Sequence, residues 1–434
     1  MKTYNLDETS RQEIRQLCQR NPIFDPGLFK TCEEIFEAVA ERGDEALREY
    51  TSRFDGVELS QFIVQAQEFS EAIASLQPEV TEAMRVAIRN IRAFHSSQQV
   101  VEKPTEIQEG VTCWRAARAI TSVGLYVPGG TAVLPSTVLM LAVPAKLAGC
   151  AKIVLCVPPR PNGSVAAEVL AAAQLAGVRQ VFKVGGAQAI AAMALGTSTI
   201  PRVEKILGPG NRYVQTAKLL ATFRGVAIDM VAGPSEVLVI ADGSTSPEVT
   251  ASDLISQAEH GADSQSVLVS TSAEFIEAVE RALESQLETL PRRGLARQSL
   301  DQSFAVLASS LEAAFDFSNR YAPEHLILSI EDPREWLGNV LSAGSVFVGR
   351  WSPEVAGDYA SGTNHTLPTS GAARNVSGVS MDSFVKKITF QELTAAGLSE
   401  LAPTLQTLAG VESLEGHARA VEYRLKEMSE GLDE

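Results

Sequence analysis

From Ile120 onward, short β-branched runs alternate with helical stretches rich in alanine and leucine, and no other feature constrains the fold as strongly. The predicted strands are ITSVGLYV (120–127), KIVLCV (152–157), QVFKV (180–184) and EKIL (204–207). One helix is predicted to begin at Ser136, a second to end at Leu175 and a third to begin at Gly186. An alternation of about 25 residues is typical of parallel strands joined by crossover helices, so we predict a parallel α/β sheet.

A second alternating block follows. Its predicted strands are EVLVIA (236–241), SVLVS (266–270), HLILSI (325–330) and GSVFVG (344–349). Residues 25–99 instead repeat apolar positions three and four apart, which is typical of helices, and after Val379 the pattern is again helical and charged. The predicted fold class is therefore α/β, with two Rossmann-like but incomplete parallel-sheet domains, an N-terminal helical region and a small C-terminal helical tail.

Composition and charge argue against several classes of protein. The 434 residues carry 53 acidic and 37 basic side chains, a net charge of −16, so nucleic acid is not expected as a partner. The first residues are polar and charged, which predicts no export signal. The most hydrophobic stretch, 138–148, contains Pro144 and Lys146 and is too short to span a membrane.

The five cysteines point to a reducing compartment. Their number is odd and they have no CxxC spacing, which disfavours both a disulfide framework and a structural zinc site. We therefore expect a cytoplasmic protein. Because no basic cluster adjoins Cys113, Cys150 or Cys156, these side chains are predicted to be small buried apolar groups and not reactive thiolates.

The segment 251–261, ASDLISQAEHG, is predicted to be helical, with Ser246 as its N-cap, Pro247 at the first helical position and Gly261 as its end. Gln257 and His260 are three residues apart, so both reach the same face of the last turn, where the helix dipole favours a cation. Gln257 and His260 are either metal ligands, or His260 interacts only with the end of its own helix.

An acid and an imidazole stand at the entry to the strand HLILSI. Glu324 and His325 are adjacent, and adjacent residues of a regular strand face opposite sides, so a shared site requires irregular backbone. Pro323 favours an extended conformation for Ala322. Such a pair can activate first a hydroxyl and then a water; the alternative is a solvated strand edge.

Two more polar groups lie towards the C-terminus. Residues 351–369 are predicted to form a loop that carries Asp358 and His365, either as a functional loop or as a capping loop with a solvated aspartate. Glu412 and His417 are five residues apart, which does not place them on one side of a regular helix unless Gly416 interrupts it.

Glycine-rich segments follow predicted strands or precede predicted helices, where backbone N–H groups face an anion. They are GLYVPGG (124–130), KVGGAQA (183–189), GPGNRYV (208–214) and AGPSE (232–236). None has the GxGxxG spacing of a dinucleotide fingerprint, so these loops alone identify no cofactor.

Taken together, these segments resemble the histidinol dehydrogenase family. The segment from Asp229 through AGPSEV (232–237) to SQAEH (256–260) is similar to the family's signature. GLYVPGG, VGGAQAIAA, GPGN, YAPEHL and AGDYASGTNHTLPT resemble its other characteristic blocks, in the same order. The resemblance covers nearly the whole chain. One departure is Val231, which stands where many relatives have proline. The resemblance assigns no metal-binding, acid–base or cofactor-binding role to this position.

The resemblance implies a zinc-dependent, NAD-linked oxidoreductase that converts L-histidinol to L-histidine through L-histidinaldehyde, in the last steps of histidine biosynthesis. One zinc ion per subunit would orient the substrate, with the ligands Gln257, His260, Asp358 and His417. His325 would accept a proton as each hydride passes to NAD. Glu324 would activate the water that hydrates the aldehyde.

The same resemblance implies which residues bind the substrate and NAD. The substrate-binding positions are Ser235, Gln257, His260, His325, Asp358, His365, Glu412 and His417. The NAD-binding positions are Tyr126, Gln188 and Asn211. The family resemblance also implies an intertwined homodimer in which the C-terminal tail supplies Glu412 and His417 to the neighbouring subunit, so that the two active sites are shared.

Domain boundaries follow from this comparison and the strand pattern. Residues 1–24 are predicted to be an N-terminal arm, and residues 25–124 together with 236–379 a first α/β domain with most zinc and catalytic residues. Residues 125–235 are predicted to be a second Rossmann-like domain, and residues 380–434 a helical tail that contacts the partner subunit.

Three other functions stay open at this point. One is a zinc hydrolase in which Glu324 activates water and no nicotinamide binds, which the missing GxGxxG motif permits. Another is a dehydrogenase of a different amino alcohol with the same ligands. The last is a non-catalytic metal- or solute-binding protein, in which the Glu324–His325 pair has no role.

Overall fold

The computed structural model describes residues 1–19, 25–129 and 133–430. The strands are β1 (Lys2–Asn5), β2 (Thr105–Gln108), β3 (Val111–Ala119), β4 (Ser122–Tyr126), β5 (Lys152–Val157), β6 (Gln180–Lys183), β7 (Lys205–Leu207), β8 (Ala227–Ile228), β9 (Glu236–Ala241), β10 (Gln265–Ser270), β11 (Phe304–Leu307), β12 (His325–Ser329), β13 (Ser345–Val348) and β14 (Val385–Leu393). The helices are α1 (Arg11–Leu17), α2 (Pro26–Arg42), α3 (Asp44–Asp55), α4 (Ala66–Ser75), α5 (Pro78–Ser96), α6 (Pro135–Ala148), α7 (Ala167–Leu175), α8 (Gly186–Leu195), α9 (Arg212–Phe223), α10 (Pro247–Ala258), α11 (Ala273–Leu287), α12 (Arg293–Asp301), α13 (Leu311–Tyr321), α14 (Glu354–Tyr359), α15 (Ala395–Val411) and α16 (Glu415–Glu430).

The chain divides into two compact units. The first comprises Met1–Gln98 and Ile120–Phe384, and the second comprises Gln99–Ala119 and Val385–Glu434. The first unit contains two parallel sheets flanked by helices, which confirms the predicted α/β class.

A six-stranded parallel sheet has the order β1-β11-β10-β9-β12-β13. Its strands β9 and β12 are buried along their whole length, which explains why both are almost continuously apolar in the sequence. They pair in register from His325 opposite Val237. Because Glu236 precedes Val237 and Glu324 precedes His325, the amino ends of these two strands bring two carboxyl groups and an imidazole together.

A five-stranded parallel sheet has the order β6-β5-β4-β7-β8. β4 is the first of these strands in the chain and lies between β5 and β7, so the crossovers to either side of it diverge at this point. In open α/β sheets, ligands bind outside the carboxyl ends of the strands where the strand order reverses in this way. The loops after β4 and β7 therefore occupy the expected position of a ligand site.

The second unit shows where the sequence prediction is wrong. Residues 385–393 form β14, which pairs antiparallel with β3, whereas the sequence predicts helix throughout after Val379. Trp114 and Phe390 are opposite each other in this ladder, and their rings stack with centroids 5.4 Å apart. The strand partner is about 270 residues away in the chain, and such a distant contact outweighs the local helical pattern. Helices α15 and α16 follow β14.

The ends of the chain and the cysteines complete the description. Residues 2–5 form β1 and pair with β11 at the edge of the six-stranded sheet, a strand that the sequence does not predict. All five cysteines are free thiols. Cys150 and Cys156 are buried, as predicted, whereas the prediction for Cys113 is wrong, because this residue of β3 is only partly buried. Burial raises the pKa of Cys150 to about 11, which keeps it protonated at neutral pH. Within the described part of the chain, no helix has the length and apolar character needed to cross a membrane.

Candidate active site

The backbone before β12 is irregular, and it lets two adjacent residues share one site. Ala322 ends α13 in the left-handed conformation, with φ 54° and ψ 66°, and its N–H donates to Ser318 O at 2.7 Å. The extended conformation predicted for Ala322 is therefore wrong, because this helix-ending hydrogen bond outweighs the preference imposed by Pro323. Glu324 and His325 are both buried, and His325 Nδ1 lies 3.9 Å from Glu324 Oε2. The alternative of a solvated strand edge is excluded.

Oxygen atoms surround one nitrogen of His325. Its Nδ1 lies 3.3 Å from Gln257 Oε1 and 3.3 Å from Glu354 Oε1. Because an amide oxygen only accepts, the proton of the neutral ring belongs on Nδ1. Nε2 then carries the lone pair; it lies 3.8 Å from Asp358 Oδ1 and has no hydrogen-bond partner among the described residues. Burial lowers the pKa of His325 to about 3, so the ring is neutral at physiological pH and its Nε2 keeps its lone pair.

The end of α10 provides two of the residues suggested by the sequence. Ser246 caps the helix by accepting from Val249 N at 3.4 Å, as predicted. The helix ends at Ala258 and not at Gly261, so His260 lies just beyond the helix, where its N–H donates to Gln257 O at 3.1 Å. Gln257 is fully buried, and its Nε2 has no hydrogen-bond partner among the described residues.

Asp358 lies in the short helix α14, whereas the sequence predicts a loop there. Its Oδ2 is 3.8 Å from His260 Nε2. Glu354 precedes it by one helical turn, and ligand atoms of His260, Glu354 and Asp358 all lie within 4.8 Å of one another. Glu354 is not among the site residues predicted from the sequence. The four-residue spacing between Glu354 and Asp358 was the available signal, and the surrounding glycines and prolines obscured it.

Buried carboxyl groups dominate the electrostatics of this cluster. Burial raises the pKa of Asp358 to about 7, and burial together with the neighbouring acids raises the pKa of Glu354 and of Glu324. Glu236 N–H donates to Glu324 Oε2 at 3.0 Å, which partly offsets this effect. Carboxylates, an imidazole and an amide oxygen are suitable zinc ligands, and a bound cation would relieve the mutual repulsion of these acids.

His365 and Ser235 lie beside this cluster. His365 Nδ1 is 2.9 Å from Asp358 O, and its Nε2 is 3.3 Å from Thr137 Oγ1 on α6. Ser235 directly precedes β9, and a hydrogen bond from its side chain lowers the pKa of Glu324. The first unit therefore gathers Ser235, Gln257, His260, Glu324, His325, Asp358 and His365.

Glu412 and His417 belong to the second unit. Glu412 is the C-cap of α15, and His417 lies in the first turns of α16. The break between the helices falls at Ser413, with φ 58°, and not at Gly416, which is inside α16. Both side chains are exposed.

The residues expected to contact NAD line one cavity of about 1040 Å³ in the first unit. Tyr126 ends β4, Gln188 lies in the first turn of α8, and Asn211 is the N-cap of α9, where its Oδ1 accepts from Tyr213 N and Val214 N at 3.0 and 3.1 Å. The Tyr126 hydroxyl accepts from Gly186 N at 3.0 Å. Gly130 of the segment GLYVPGG lies outside the described residues.

Asp55 also lines this cavity, and the sequence analysis did not single it out. Its Oδ2 is buried without a hydrogen-bond partner in the part of the chain that is described, and burial raises the pKa of Asp55 to about 6. Asp55 is the last residue of α3 and belongs to no recognisable sequence motif, so only the folded structure shows that it lines the cavity.

Comparison with known proteins decides the family. The sequence model of the histidinol dehydrogenase family matches residues 19–425. The chain belongs to the histidinol dehydrogenase family. The histidinol dehydrogenase of Bacteroides thetaiotaomicron is 51% identical over 416 residues, which cover 96% of this chain and 97% of that protein. The chloroplastic histidinol dehydrogenase of Arabidopsis thaliana is 51% identical over 431 residues, which cover 99% of this chain and 92% of that protein.

A solved histidinol dehydrogenase structure agrees with the fold. The crystal structure from Elizabethkingia anophelis superposes with a TM-score of 0.96 at 48% identity, covering 99% of both chains. Membership of the histidinol dehydrogenase family makes the protein an oxidoreductase, as predicted. Neither a zinc hydrolase nor a dehydrogenase of another amino alcohol finds support in these comparisons.

Proposed function

We propose that the protein oxidises L-histidinol to L-histidine through L-histidinaldehyde, with zinc and NAD as its cofactors, in the last steps of histidine biosynthesis. The observation that carries this proposal is the neutral His325, whose Nε2 lone pair has no hydrogen-bond partner among the described residues and faces a cluster of metal-binding side chains. The family supports the same chemistry, since its curated members are named histidinol dehydrogenases.

His325 is suited to take the alcohol proton. Its Nδ1–H is directed by the acceptor Gln257 Oε1 and lies beside the carboxylate of Glu354, which leaves Nε2 as the basic atom. A general base must lie within hydrogen-bond reach of the proton that it removes, and His325 borders the space between His260 and Asp358. The same nitrogen serves the second oxidation after its proton has been released.

Glu324 is suited to activate the water that hydrates the aldehyde. Its raised pKa makes the carboxylate a stronger base than an exposed glutamate, while hydrogen bonds from Glu236 N–H and Ser235 favour the ionised form and partly offset the rise in pKa. Because Glu324 and His325 lie on the same side of the site, the two oxidations can use one substrate position with two different bases.

The donor set fits zinc. Gln257, His260 and Asp358 would hold the ion together with His417, and Glu354 lies close enough to support or join them. Buried polar atoms without partners among the described residues, Gln257 Nε2 and both Glu354 carboxylate oxygens, fit a site built around a cation. Bound zinc supplies a Lewis acid that orients the amino alcohol.

The cavity that contains Tyr126, Gln188 and Asn211 fits NAD. The N-termini of α8 and α9 both open onto it, and helix N-termini favour phosphate groups. Leu134 lines the cavity and Thr137, one turn later on α6, contacts His365, so the cavity borders the catalytic cluster. NAD supplies the hydride acceptor for both oxidations.

A homodimer with shared sites is part of the proposal. Glu412 and His417 are exposed on a unit separate from the catalytic cluster, which fits donation of both to a second copy. Mixing inactive His417→Ala and His325→Ala variants should restore part of the activity through mixed dimers, and no recovery would count against sharing. The cytoplasmic location belongs to the proposal too, and five free thiols support it.

The deciding experiment follows NADH absorbance with L-histidinol and NAD. The proposal predicts two NADH per L-histidinol, loss of activity with a chelator and recovery with zinc. No NADH formation by zinc-loaded, folded protein would reject it.

A further inference from the structure

A fully buried ion pair lies behind the cofactor cavity, and the proposed chemistry does not use it. Lys218 on α9 and Asp229 after β8 approach to 2.5 Å, and both side chains are 1% exposed. Buried charges of this kind cost free energy unless each is paired and hydrogen-bonded, so their remaining contacts show what the pair holds in place.

The pair binds both polar backbone groups of one glycine. Lys218 Nζ donates to Gly208 O at 2.9 Å, and Gly208 N donates to Asp229 Oδ2 at 2.8 Å. Asp229 Oδ1 also accepts from Met230 N at 2.7 Å. Gly208 begins the loop 208–211, which follows β7 and ends at Asn211, one of the residues that line the cavity.

Gly208 can be held there only because it is glycine. Its φ is +133°, and a Cβ atom would lie 2.2 Å from Tyr126 O. The start of the loop thus packs against the backbone of Tyr126, which also lines the cavity. The Tyr126 hydroxyl in turn accepts from Gly186 N at the start of α8. The ion pair therefore holds the first residue of the loop 208–211 against the backbone of Tyr126.

Gln215 extends the same connection. It lies one turn after Asn211 on α9, is buried, donates to Gly210 O at 3.2 Å and accepts from Ala232 N at 3.1 Å. Ala232 lies in the segment that leads to Ser235 and β9, whose first N–H binds Glu324. One face of α9 thus connects the loop 208–211, which reaches the proposed cofactor cavity, with the segment 232–235, which leads to the proposed substrate-binding residue Ser235.

We propose that Lys218, Asp229 and Gln215 are positioning residues that hold the cofactor loop 208–211 in its binding conformation, acting through the backbone of Gly208 and Gly210. None of the three is required to touch the cofactor. The proposal rests on the proposed function, because it assigns NAD to this cavity.

The test compares variants that separate stability from positioning. Lys218→Met leaves Asp229 as an unpaired buried charge and lowers Tm. The double variant Lys218→Met/Asp229→Leu removes both charges, which regains much of that stability, but leaves Gly208 without either partner. Gln215→Leu changes no charge. Asp44→Asn is the matched control: Asp44 is a buried carboxylate in the same unit that accepts from Ser198 and Thr199, and neither of these partners is among the described residues that line the cavity.

We expect the dissociation constant for NADH, measured by fluorescence titration well below each Tm, to rise at least tenfold in the Lys218 single and double variants. It should rise several-fold in Gln215→Leu and stay within twofold in Asp44→Asn. The KM for L-histidinol should change far less than the KM for NAD. NADH affinity that recovers in the double variant, or that is unchanged in Gln215→Leu, overturns the positioning role. Failure of the wild-type protein to bind NADH at all would instead reject the proposed function.

Discussion

Nδ1 of His325 lies 3.3 Å from Oε1 of Glu354, and both side chains are almost completely buried. Glu354 is not part of the ligand set suggested by the family resemblance, yet it lies close to His325, the proposed general base, and to His260 and Asp358, two of the proposed metal ligands. Its neighbours on either side are His325 and Asp358, so its carboxylate can orient the imidazole and add negative charge beside a cation. Groups that hold metal ligands and bases in place typically matter almost as much as the ligands themselves.

Glu354→Gln should lower zinc affinity or kcat about 10- to 100-fold while the protein stays folded. The amide keeps the size of the side chain but removes its charge and one acceptor oxygen. Zinc titration and steady-state rates measure the effect. Glu248→Gln, an exposed change in the first turn of α10, serves as the control, and a rate equal to that of the control would refute the role of Glu354.

His260→Ala and Asp358→Ala should each lose zinc and activity. Both side chains converge on one point, and removal of either leaves too few donors for a stable tetrahedral site. Metal analysis after dialysis against zinc-free buffer measures the stoichiometry. The control is His95→Asn, because His95 is a buried histidine whose Nδ1 lies 2.8 Å from Ile91 O and which is none of the proposed metal ligands. Full zinc content in the His260 variant would disprove that assignment.

Glu324→Gln should retain zinc and slow the second oxidation more than the first. Only the second oxidation requires a hydrated aldehyde, and the amide cannot accept a proton from water. Single-turnover measurements that start from L-histidinol and from L-histidinaldehyde separate the two steps. Equal slowing of both would show that Glu324 has no special part in hydration.

Asp55 should make the folded protein less stable as pH rises. Its pKa is about 6 in the folded protein and near 3.8 when unfolded, so the folded state holds the extra proton between these values. Stability associated with this proton is present below about pH 4 and is lost as pH rises through about 6. Urea unfolding at pH 5 and pH 8 should therefore show a smaller loss for Asp55→Asn than for the wild type. Identical losses would mean that Asp55 titrates normally.

Cys150→Ala and Cys156→Ala should remain active. Burial raises the pKa of both thiols, which opposes thiolate formation, and each side chain packs in the core around the five-stranded sheet. The expected cost is about 1–2 kcal/mol of stability, from the space left by sulfur. Activity at a temperature well below Tm is the measurement, and a folded but inactive variant would show that a thiol takes part.

Local patterns were sufficient for much of the fold. The apolar runs of β5, β9 and β12, the start of α8 at Gly186 and the Ser246–Pro247 start of α10 all follow from residues close in sequence. Alternation of strand and helix then gives the parallel sheets, because only crossover helices can connect such strands compactly.

The rest depended on partners far apart in the chain. β14 forms because β3, about 270 residues earlier in the chain, pairs with it. Gln257, His260, Glu324, His325, Asp358 and His365 do come together in the structure. The four-residue spacing between Glu354 and Asp358 was a local signal for Glu354, whereas no local pattern placed Asp55 at the cavity lined by Tyr126, Gln188 and Asn211. A buried carboxyl group acquires its chemistry from neighbours, and those neighbours are set by tertiary structure.

The pairing of β1 with β11 has a consequence for how the chain is made. Residues 2–5 leave the ribosome roughly 300 residues before residues 304–307, which at ordinary elongation rates is a delay of roughly 15–60 s. The strands of the five-stranded sheet all lie between residues 122 and 228, so all of them have been synthesised much earlier. We therefore expect the five-stranded sheet to assemble during synthesis, whereas the six-stranded sheet, whose strand β12 begins at His325, is completed only after most of the chain has been translated.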